Sequence, residues 1–425
     1  MRKVQHVGLA QGKKAAHPFV IRREYAIQFH QADIRFSKLC PISPCFLKVF
    51  YHIIFEKRCT SGFSAGTLFL VTEHLLFLEE PPMHNQINPQ ARALLRQWAE
   101  DAVNRPQPAH PLTIPEQIAA SRIGFHRLDP LAGEPEPVWR IVQRTLPGPG
   151  GPLPVRIYQP CDTTGLPVLV YLHGGGCTIG DLDTIDRPLR QLSNCSGWLI
   201  VSVDYRLAPE HPFPAAWEDA YTVAQWVATH ASEINADARL LAIGGDSAGG
   251  LLATATTLIA RDRNGPGIAL QILINPSTSG YADFDTRSWQ DYDGVVLNQA
   301  EVKRDLDLTY GDQDRSHPWI SPLKARNLAH LPPALILTAG CDPLRDEGEA
   351  YADRLKQAGV RVTLTRYAGM IHGFFGFAGI LDDGKTAIDQ VAQALQQLAE
   401  QRHQNCCHHT QPIQDSRMYH RSVWR

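Results

Sequence analysis

From residue 83 onward, short clusters of apolar residues alternate with longer amphipathic segments. The clusters rich in Val, Ile and Leu predict eight strands, at 139–146, 153–158, 167–172, 199–203, 240–243, 269–274, 334–338 and 361–367. Helical periodicity separates most of them, at 215–234, 249–262, 345–357 and 385–401. This alternation predicts an α/β fold with a mostly parallel sheet covered by helices on both faces. Ligands are then expected at the carboxyl ends of the strands.

Two stretches depart from this rhythm. The first two predicted strands flank the sequence PGPGGP at 147–152, whose turn chemistry predicts an antiparallel hairpin. Residues 281–327 are polar and aromatic, and their charges and prolines do not suit a sheet. We interpret them as an insertion that folds over the active site, and a surface excursion without a role in binding is the alternative.

A globular domain is predicted at 83–400, because Asn88 can cap a helix and Pro89 suits its first turn. Residues 1–82 have no clear period and carry more Lys and Arg than Asp and Glu. They are interpreted either as a basic extension or as a translated upstream region, with Met83 as the natural start.

The last residues, 401–425, are also unpatterned, and we predict a disordered tail. The tail contains four adjacent residues whose side chains can bind metals, Cys406, Cys407, His408 and His409. A metal site is the alternative there, but adjacent ligands lack the usual loop spacing. We therefore expect no metal.

Composition narrows the class of protein. The 425 residues are 44% hydrophobic and 20% charged, which is typical of a globular enzyme, and a net charge of -2 argues against nucleic acid as a partner. The apolar stretch at 62–78 is interrupted by Glu73 and His74, so stable membrane insertion is not expected. The start has no apolar signal core, and nine irregularly spaced cysteines favour reduced thiols and a cytoplasmic location. Monomer and homodimer both stay open.

Candidate chemistry begins at Ser247, in the sequence GDSAG at 245–249. An apolar strand is predicted before this serine and an Ala-rich helix after it, which is the arrangement of a nucleophile elbow. The pattern GxSxG by itself is a weak signal, since a Gly-rich chain can match it by chance.

A glycine run after the third predicted strand adds a second signal, HGGG at 173–176. Backbone N–H groups in such a run can bind the oxyanion formed when Ser247 attacks an ester carbonyl. We assign this role to the N–H groups of Gly175, Gly176 and Ala248. A phosphate cradle is the alternative, but no Lys-Ser/Thr pair follows the glycines.

A serine nucleophile needs a base, and the base needs an acid that orients it. Asp342 follows the seventh predicted strand and His372 follows the last one, so the chain order Ser247, Asp342, His372 is the one expected for an α/β-hydrolase. Asp346 is the competing carboxylate, but its position suits the start of a helix. His173 and His211 are interpreted as structural or loop-fixing residues.

Several motifs together resemble the bacterial hormone-sensitive-lipase-like esterases, often called family IV. They are HGGG at 173–176, DYRLAPEHPFPAA at 204–216, GDSAGG at 245–250, DPLRDEG at 342–348 and HGF at 372–374. The resemblance implies an α/β-hydrolase fold with an eight-stranded sheet and a helical cap built from about 83–130 and 278–327. It also implies hydrolysis of short- to medium-chain acyl esters without a cofactor.

Two positions depart from that family. Cys177 follows HGGG where the family usually has an aromatic residue, and Ile185 stands where a histidine is common. We expect Cys177 to line the mouth of the substrate pocket, which leaves the acyl-chain preference open. Thioesterase, amidase or lactonase activity on the same triad is the alternative within enzymes, and a small-molecule-binding homologue without catalysis is the alternative outside them.

Overall fold

The computed structural model describes residues 86–104, 108, 110–280 and 284–409, apart from the side chains of 403 and 405–409. The interpretations of 1–82, the start at Met83, the tail beyond 409 and the side chains of the alternative metal site at 406–409 lie outside the described residues. Within the described ranges, no helix has the length and apolar character needed to span a membrane.

Eight strands form one sheet: β1 (Arg140–Gly148), β2 (Gly151–Gln159), β3 (Leu166–Leu172), β4 (Leu199–Val203), β5 (Ala236–Asp246), β6 (Leu270–Ile274), β7 (Ala334–Cys341) and β8 (Val362–Ile371). Their order across the sheet is β1-β2-β4-β3-β5-β6-β7-β8. β1 and β2 form the predicted antiparallel hairpin, in which Gly148 pairs with Gly151. β2 is also antiparallel to β4, and all later pairs are parallel. The predicted fold is confirmed.

Nine α-helices are found in the described ranges: α1 (Pro89–Asn104), α2 (Ile114–His126), α3 (Asp186–Ser196), α4 (Ala215–His230), α5 (Ala248–Asp262), α6 (Arg287–Tyr292), α7 (Gln299–Tyr310), α8 (Arg345–Gln357) and α9 (Asp382–His409). Asn88 caps α1 as predicted, since its Oδ1 accepts a hydrogen bond of 2.8 Å from the Gln90 amide.

Helices cover both faces of the sheet, because successive strand residues point to opposite sides. In β3, Val168 and Val170 belong to a core that includes Val223 of α4 and Leu252 of α5. Leu169 belongs to a second core with residues of α1, α3 and α9. The near absence of polar residues in β3 follows from burial on both faces.

The insertion between β6 and β7 contains two helices, α6 and α7, and a 3₁₀ turn at Pro322–Lys324. Its aromatic side chains are anchored in the core, with Trp289 fully buried and Tyr310 3% exposed. The segment therefore packs on the sheet domain through its aromatic residues.

The predicted tail requires a correction at its start. α9 continues through His409, whereas disorder was expected from 401. Residues 401–409 contain neither Pro nor Gly, and Gln401, Arg402 and Gln404 extend the helical preference of the preceding turns. A change from apolar periodicity to polar sequence does not end a helix unless a residue breaks its hydrogen bonding.

Candidate active site

Ser247 lies at the sharp turn between β5 and α5. Its backbone has φ 55° and ψ -119°, a conformation that costs free energy for a residue with a side chain. The amide of Ser247 donates a 2.8 Å hydrogen bond to the Ile274 carbonyl, which fixes the turn against β6.

The glycines around Ser247 allow this turn to form. A Cβ atom on Gly249 would lie 1.9 Å from the Leu172 carbonyl oxygen, and one on Gly245 would lie 2.4 Å from the same oxygen. β3, β5 and α5 thus approach more closely than any side chain at these positions would permit.

Three side chains from separate parts of the chain form a hydrogen-bonded series. Ser247 Oγ lies 2.9 Å from His372 Nε2, and His372 Nδ1 lies 2.9 Å from Asp342 Oδ2. Because a carboxylate only accepts, His372 Nδ1–H is the donor to Asp342, and Nε2 can accept the Ser247 hydroxyl proton. Ser247 is 8% exposed, His372 6% and Asp342 fully buried.

The surroundings of His372 favour its protonated form. Burial lowers the pKa of His372, but the charge and hydrogen bond of Asp342, with the charges of Asp246 and Glu347, raise it by more. The resulting pKa lies above the ordinary histidine value. The site therefore stabilises an imidazolium when one forms.

Asp342 and Asp346 face different partners. Asp342 Oδ1 accepts the Leu344 amide at 2.9 Å, which orients the other oxygen towards His372. Asp346 instead accepts the Ser288 amide at 2.8 Å and the Arg345 side chain at 2.8 Å. The structure thus brings Ser247, His372 and Asp342 together and places Asp346 against the insertion.

The glycine run after β3 lies beside Ser247. Gly175 and Gly176 have φ of 119° and 61°, which is left-handed backbone. The Gly174 amide is held by Asp246 Oδ1 at 3.1 Å, whereas no acceptor for the Gly175 and Gly176 amides is found within the described part of the chain. Ala248 is the first residue of α5, where backbone N–H groups have no partner within the helix.

His173 holds this loop in place through contacts with Gly174 and Tyr205. Its Nδ1 lies 2.7 Å from the Gly174 carbonyl, its own carbonyl accepts the Tyr205 hydroxyl at 2.7 Å, and its ring stacks on that of Tyr205. Burial lowers the pKa of His173 to about 4, so the ring is neutral at pH 7. These contacts agree with a loop-fixing role, whereas His211 is exposed.

A cavity of about 840 Å³ opens onto Ser247. Its floor includes His173, the loop at 174–176, Ser247 and His372. Its walls come from α1, α2 and α7, with Trp98, Phe125 and Val302 among the apolar residues. The insertion helix α7 therefore lies over the site.

Cys177 is not at the mouth of the cavity, contrary to the sequence-based expectation. It is 3% exposed, belongs to the hydrophobic core and is not among the described residues that line the cavity. Its φ of 60° lies in the left-handed region, which differs from the backbone of an extended loop. Ile185 does line the cavity, so this departure from the family pattern borders the site.

Sequence reasoning missed four residues near the site. Asp246 lies within GDSAG and Glu347 within DPLRDEG, so the motifs contained a signal for both. Arg122 of α2 and Asp305 of α7 lie in regions without a motif, and nothing in their sequence context marks them. No cluster of three or more His, Cys, Asp or Glu side chains suited to a metal ion occurs among the described residues.

Comparison with known proteins agrees with the fold of this chain. Residues 169–376 match a family described by the α/β-hydrolase fold. The esterase LipI of Mycobacterium tuberculosis is 40% identical over 290 residues, which cover 67% of this chain and 89% of LipI. The chain belongs to the hormone-sensitive-lipase-like esterases of the α/β-hydrolase superfamily.

Two further proteins are similar to this chain, one in sequence and one in both sequence and structure. An ethyl acetate hydrolase of Pseudomonas putida is 38% identical over 254 residues, which cover 58% of this chain and 79% of that protein. A solved esterase of Pyrobaculum calidifontis is 40% identical and superposes with a TM-score of 0.66, over 74% of this chain and 99% of the other. The predicted family and enzyme class are thereby confirmed.

Proposed function

We propose that this protein is a serine carboxylesterase in which Ser247, His372 and Asp342 form the catalytic triad. The observation that carries the proposal is the series of two 2.9 Å hydrogen bonds that joins these side chains at the floor of the cavity. A serine hydroxyl becomes an effective nucleophile when a positioned base removes its proton during attack.

Each residue has a defined part in the two half-reactions. Ser247 Oγ attacks the ester carbonyl while His372 Nε2 takes its proton, and His372 then protonates the leaving alcohol. Water, deprotonated by His372, releases the acid from Ser247. Asp342 keeps the proton of His372 on Nδ1 throughout and stabilises the imidazolium.

The oxyanion formed in both steps is assigned to the N–H groups of Gly175, Gly176 and Ala248. Support comes from the left-handed glycine backbone and from the lack of acceptors for the Gly175 and Gly176 amides within the described residues. Each preorganised donor of this kind lowers the barrier by about 3–4 kcal/mol.

Short- to medium-chain acyl esters are the proposed substrates, under a cap that includes α1, α2 and α7. A cavity of about 840 Å³ with apolar walls is large enough for such a molecule. The name of the Pseudomonas putida relative, an ethyl acetate hydrolase, supports a short acyl chain. A cytoplasmic location belongs to the same proposal and rests on the cysteine pattern of the sequence.

The test is Ser247→Ala with p-nitrophenyl butyrate as substrate. We expect kcat to fall by at least about 10³-fold, while far-UV circular dichroism stays unchanged and the exposed Ser232→Ala control keeps full activity. A fluorophosphonate probe should label Ser247, as located by peptide mass spectrometry. Retained hydrolysis in Ser247→Ala would overturn the proposal.

A panel of substrates separates the alternative acyl-transfer activities. Wild-type enzyme is assayed with matched acyl esters, thioesters, amides and lactones, and the ester is expected to have the highest kcat/KM. A higher value for another class would replace carboxylesterase by that activity on the same triad. Ester binding without turnover would instead indicate a non-catalytic homologue.

A further inference from the structure

Asp305 places a carboxylate inside the proposed active-site cavity. It lies on α7, lines the cavity together with Ser247, and its side chain is 19% exposed. A Cβ atom built on Gly176 would lie 3.7 Å from Asp305 Oδ2. The carboxylate therefore borders the loop that faces the reacting carbonyl.

The two oxygens of Asp305 have different surroundings. Oδ1 accepts Arg304 Nε at 2.8 Å and lies 2.7 Å from Arg304 Nη2. Arg304 is itself fixed, because its Nη1 donates to Gln117 of α2 at 3.1 Å. Oδ2 is the oxygen nearer Gly176. One side of the carboxylate is thus held by the cap, and the other is turned towards the loop.

Arg304 does not fully compensate the charge of Asp305. Burial raises the pKa of Asp305, and the Arg304 guanidinium and the Thr178 hydroxyl lower it by less. The resulting pKa lies above the ordinary aspartate value. An additional positive charge or hydrogen-bond donor near Oδ2 would stabilise the carboxylate.

The cavity lining as a whole contains more acidic than basic residues, so its net charge also favours a cationic substituent. Among the described residues, the cavity is lined by five acidic side chains, Asp101, Asp129, Asp246, Glu301 and Asp305, and by two arginines, Arg127 and Arg304, in addition to His173 and His372. Apolar walls exclude water and reduce the screening of such charges. The cavity therefore disfavours a negatively charged substrate group.

We propose that Asp305 is a specificity-determining residue that selects esters carrying a cationic or hydrogen-bond-donating substituent and rejects esters carrying a carboxylate. This inference rests on the proposed esterase function and adds the class of substrate. Asp305 acts on binding of the substituent and takes no part in proton transfer.

The test compares esters that differ only in charge. One series has p-nitrophenyl esters of γ-trimethylammoniobutyrate, of its uncharged tert-butyl isostere, and of glutarate. A second series carries the charge on the alcohol, with butyrylcholine and its tert-butyl isostere. In at least one series, kcat/KM for the cationic ester should exceed that for the isostere about ten-fold. The negatively charged glutarate ester should react more slowly than the uncharged tert-butyl ester of the same series.

Variants assign the preference to one side chain. Asp305→Asn should bring the cationic-to-neutral ratio to within about two-fold of unity, and Asp305→Glu, which keeps the charge, should retain a preference. The matched control is Asp307→Asn on the same helix, whose carboxylate pairs with Lys303 outside the cavity and which should keep the wild-type ratio. The ratio in wild-type enzyme should also fall when ionic strength rises from about 0.01 M to about 0.5 M.

Each outcome has a distinct meaning. A preference that survives in Asp305→Asn, or equal turnover of charged and neutral esters by wild-type enzyme, would overturn the assignment to Asp305 while leaving the esterase function intact. Failure of wild-type enzyme to hydrolyse any of the neutral esters would overturn the proposed function, and this inference with it.

Discussion

Asp342 and Asp346 show how position decides the role of identical side chains. Both follow β7, yet Asp342 contacts the imidazole of His372 while Asp346 contacts the Ser288 amide at the insertion. The sequence order of strands favoured Asp342, because the acid of an α/β-hydrolase follows the strand directly. The contacts of Asp346 give it a structural role instead.

We expect Asp342→Asn to lower kcat by about 10⁴-fold, since the amide would favour the wrong tautomer of His372. Asp346→Asn keeps an oxygen for the Ser288 amide and should change kcat by less than about ten-fold. Steady-state kinetics with p-nitrophenyl butyrate measure both. A larger loss in Asp346→Asn would show that the orienting acid has been assigned to the wrong residue.

Cys177 shows what a motif cannot indicate about a single side chain. Cys177 follows the glycine run directly, at a position where the resembling family usually has an aromatic residue, and this favoured a pocket residue. Whether a loop residue points into a cavity depends on its φ and ψ, and a φ of 60° at a cysteine cannot be deduced from its neighbours in sequence. The proximity of Ser247, Asp342 and His372 could be predicted, because each residue follows a strand whose end is fixed by the sheet.

Replacement of Cys177 by Phe should therefore affect stability rather than specificity. The larger side chain has to fit into a packed core, so the free energy of unfolding should fall by roughly 1–3 kcal/mol, as measured by urea denaturation. The preferred acyl-chain length should stay unchanged. The matched variant Val302→Phe, on the cavity wall, should shorten the preferred chain, and a shortened chain in Cys177→Phe would return that residue to the pocket.

At the scale of elements, the sheet was more predictable than the cap. Predicted strand limits agree with β3, β4 and β6 to within one residue, because strands buried on both faces are continuous apolar runs. β5 extends further than predicted at both ends. The helices of the insertion could not be predicted individually, since α6 and α7 are short and are stabilised by aromatic side chains packed into the core.

α2 is tied to the glycine loop by one side chain. Arg122 donates to the Thr178 carbonyl at 2.9 Å and to the Ala208 carbonyl at 3.1 Å, and both of its Nη atoms bind Glu210. The Ala208 amide in turn donates to the Cys177 carbonyl at 2.9 Å. These contacts link α2 to the loop that contains Gly175 and Gly176.

We expect Arg122→Gln to lower kcat/KM for a neutral ester by about ten-fold, because displacement of the loop proposed to bind the oxyanion would weaken binding of the transition state. Arg122→Lys should be only partly active, since an ammonium group cannot reproduce the forked contacts. The control is Arg96→Gln on α1, whose side chain is exposed. Normal kinetics in Arg122→Gln would show that the loop holds its position without this contact.

At the scale of the whole molecule, Glu347 is a buried acid whose ionisation affects folding. Its side chain accepts the Thr278 amide at 2.6 Å and the Ser279 hydroxyl at 2.5 Å. Burial raises the pKa of Glu347 to about 7, more than these donors lower it. Between about pH 4.5 and pH 7, Glu347 therefore keeps its proton in the folded state, whereas the unfolded state, with an ordinary pKa of 4.5, has released it.

Stability should therefore fall as pH rises through this interval. Below about pH 4.5 the group is protonated in both states, and its contribution is lost as pH rises through about 7. We expect Glu347→Gln to reduce the fall in the free energy of unfolding between these limits by about 1–3 kcal/mol. Urea denaturation at a series of pH values measures it, and identical pH profiles for the two proteins would contradict the ionisation assigned to Glu347.

The sheet order gives the three residues of the proposed triad unequal protection against local opening. Ser247 follows β5, which has a hydrogen-bonded neighbour on each side, whereas His372 follows β8, which pairs with β7 alone at the margin of the sheet. Margin strands exchange their amide hydrogens faster than central ones, because fewer bonds must break to release them. We expect fraying of β8 to withdraw His372, the proposed general base, while Ser247 stays in place. Catalysis should then be lost together with this first local opening and before the sheet as a whole unfolds.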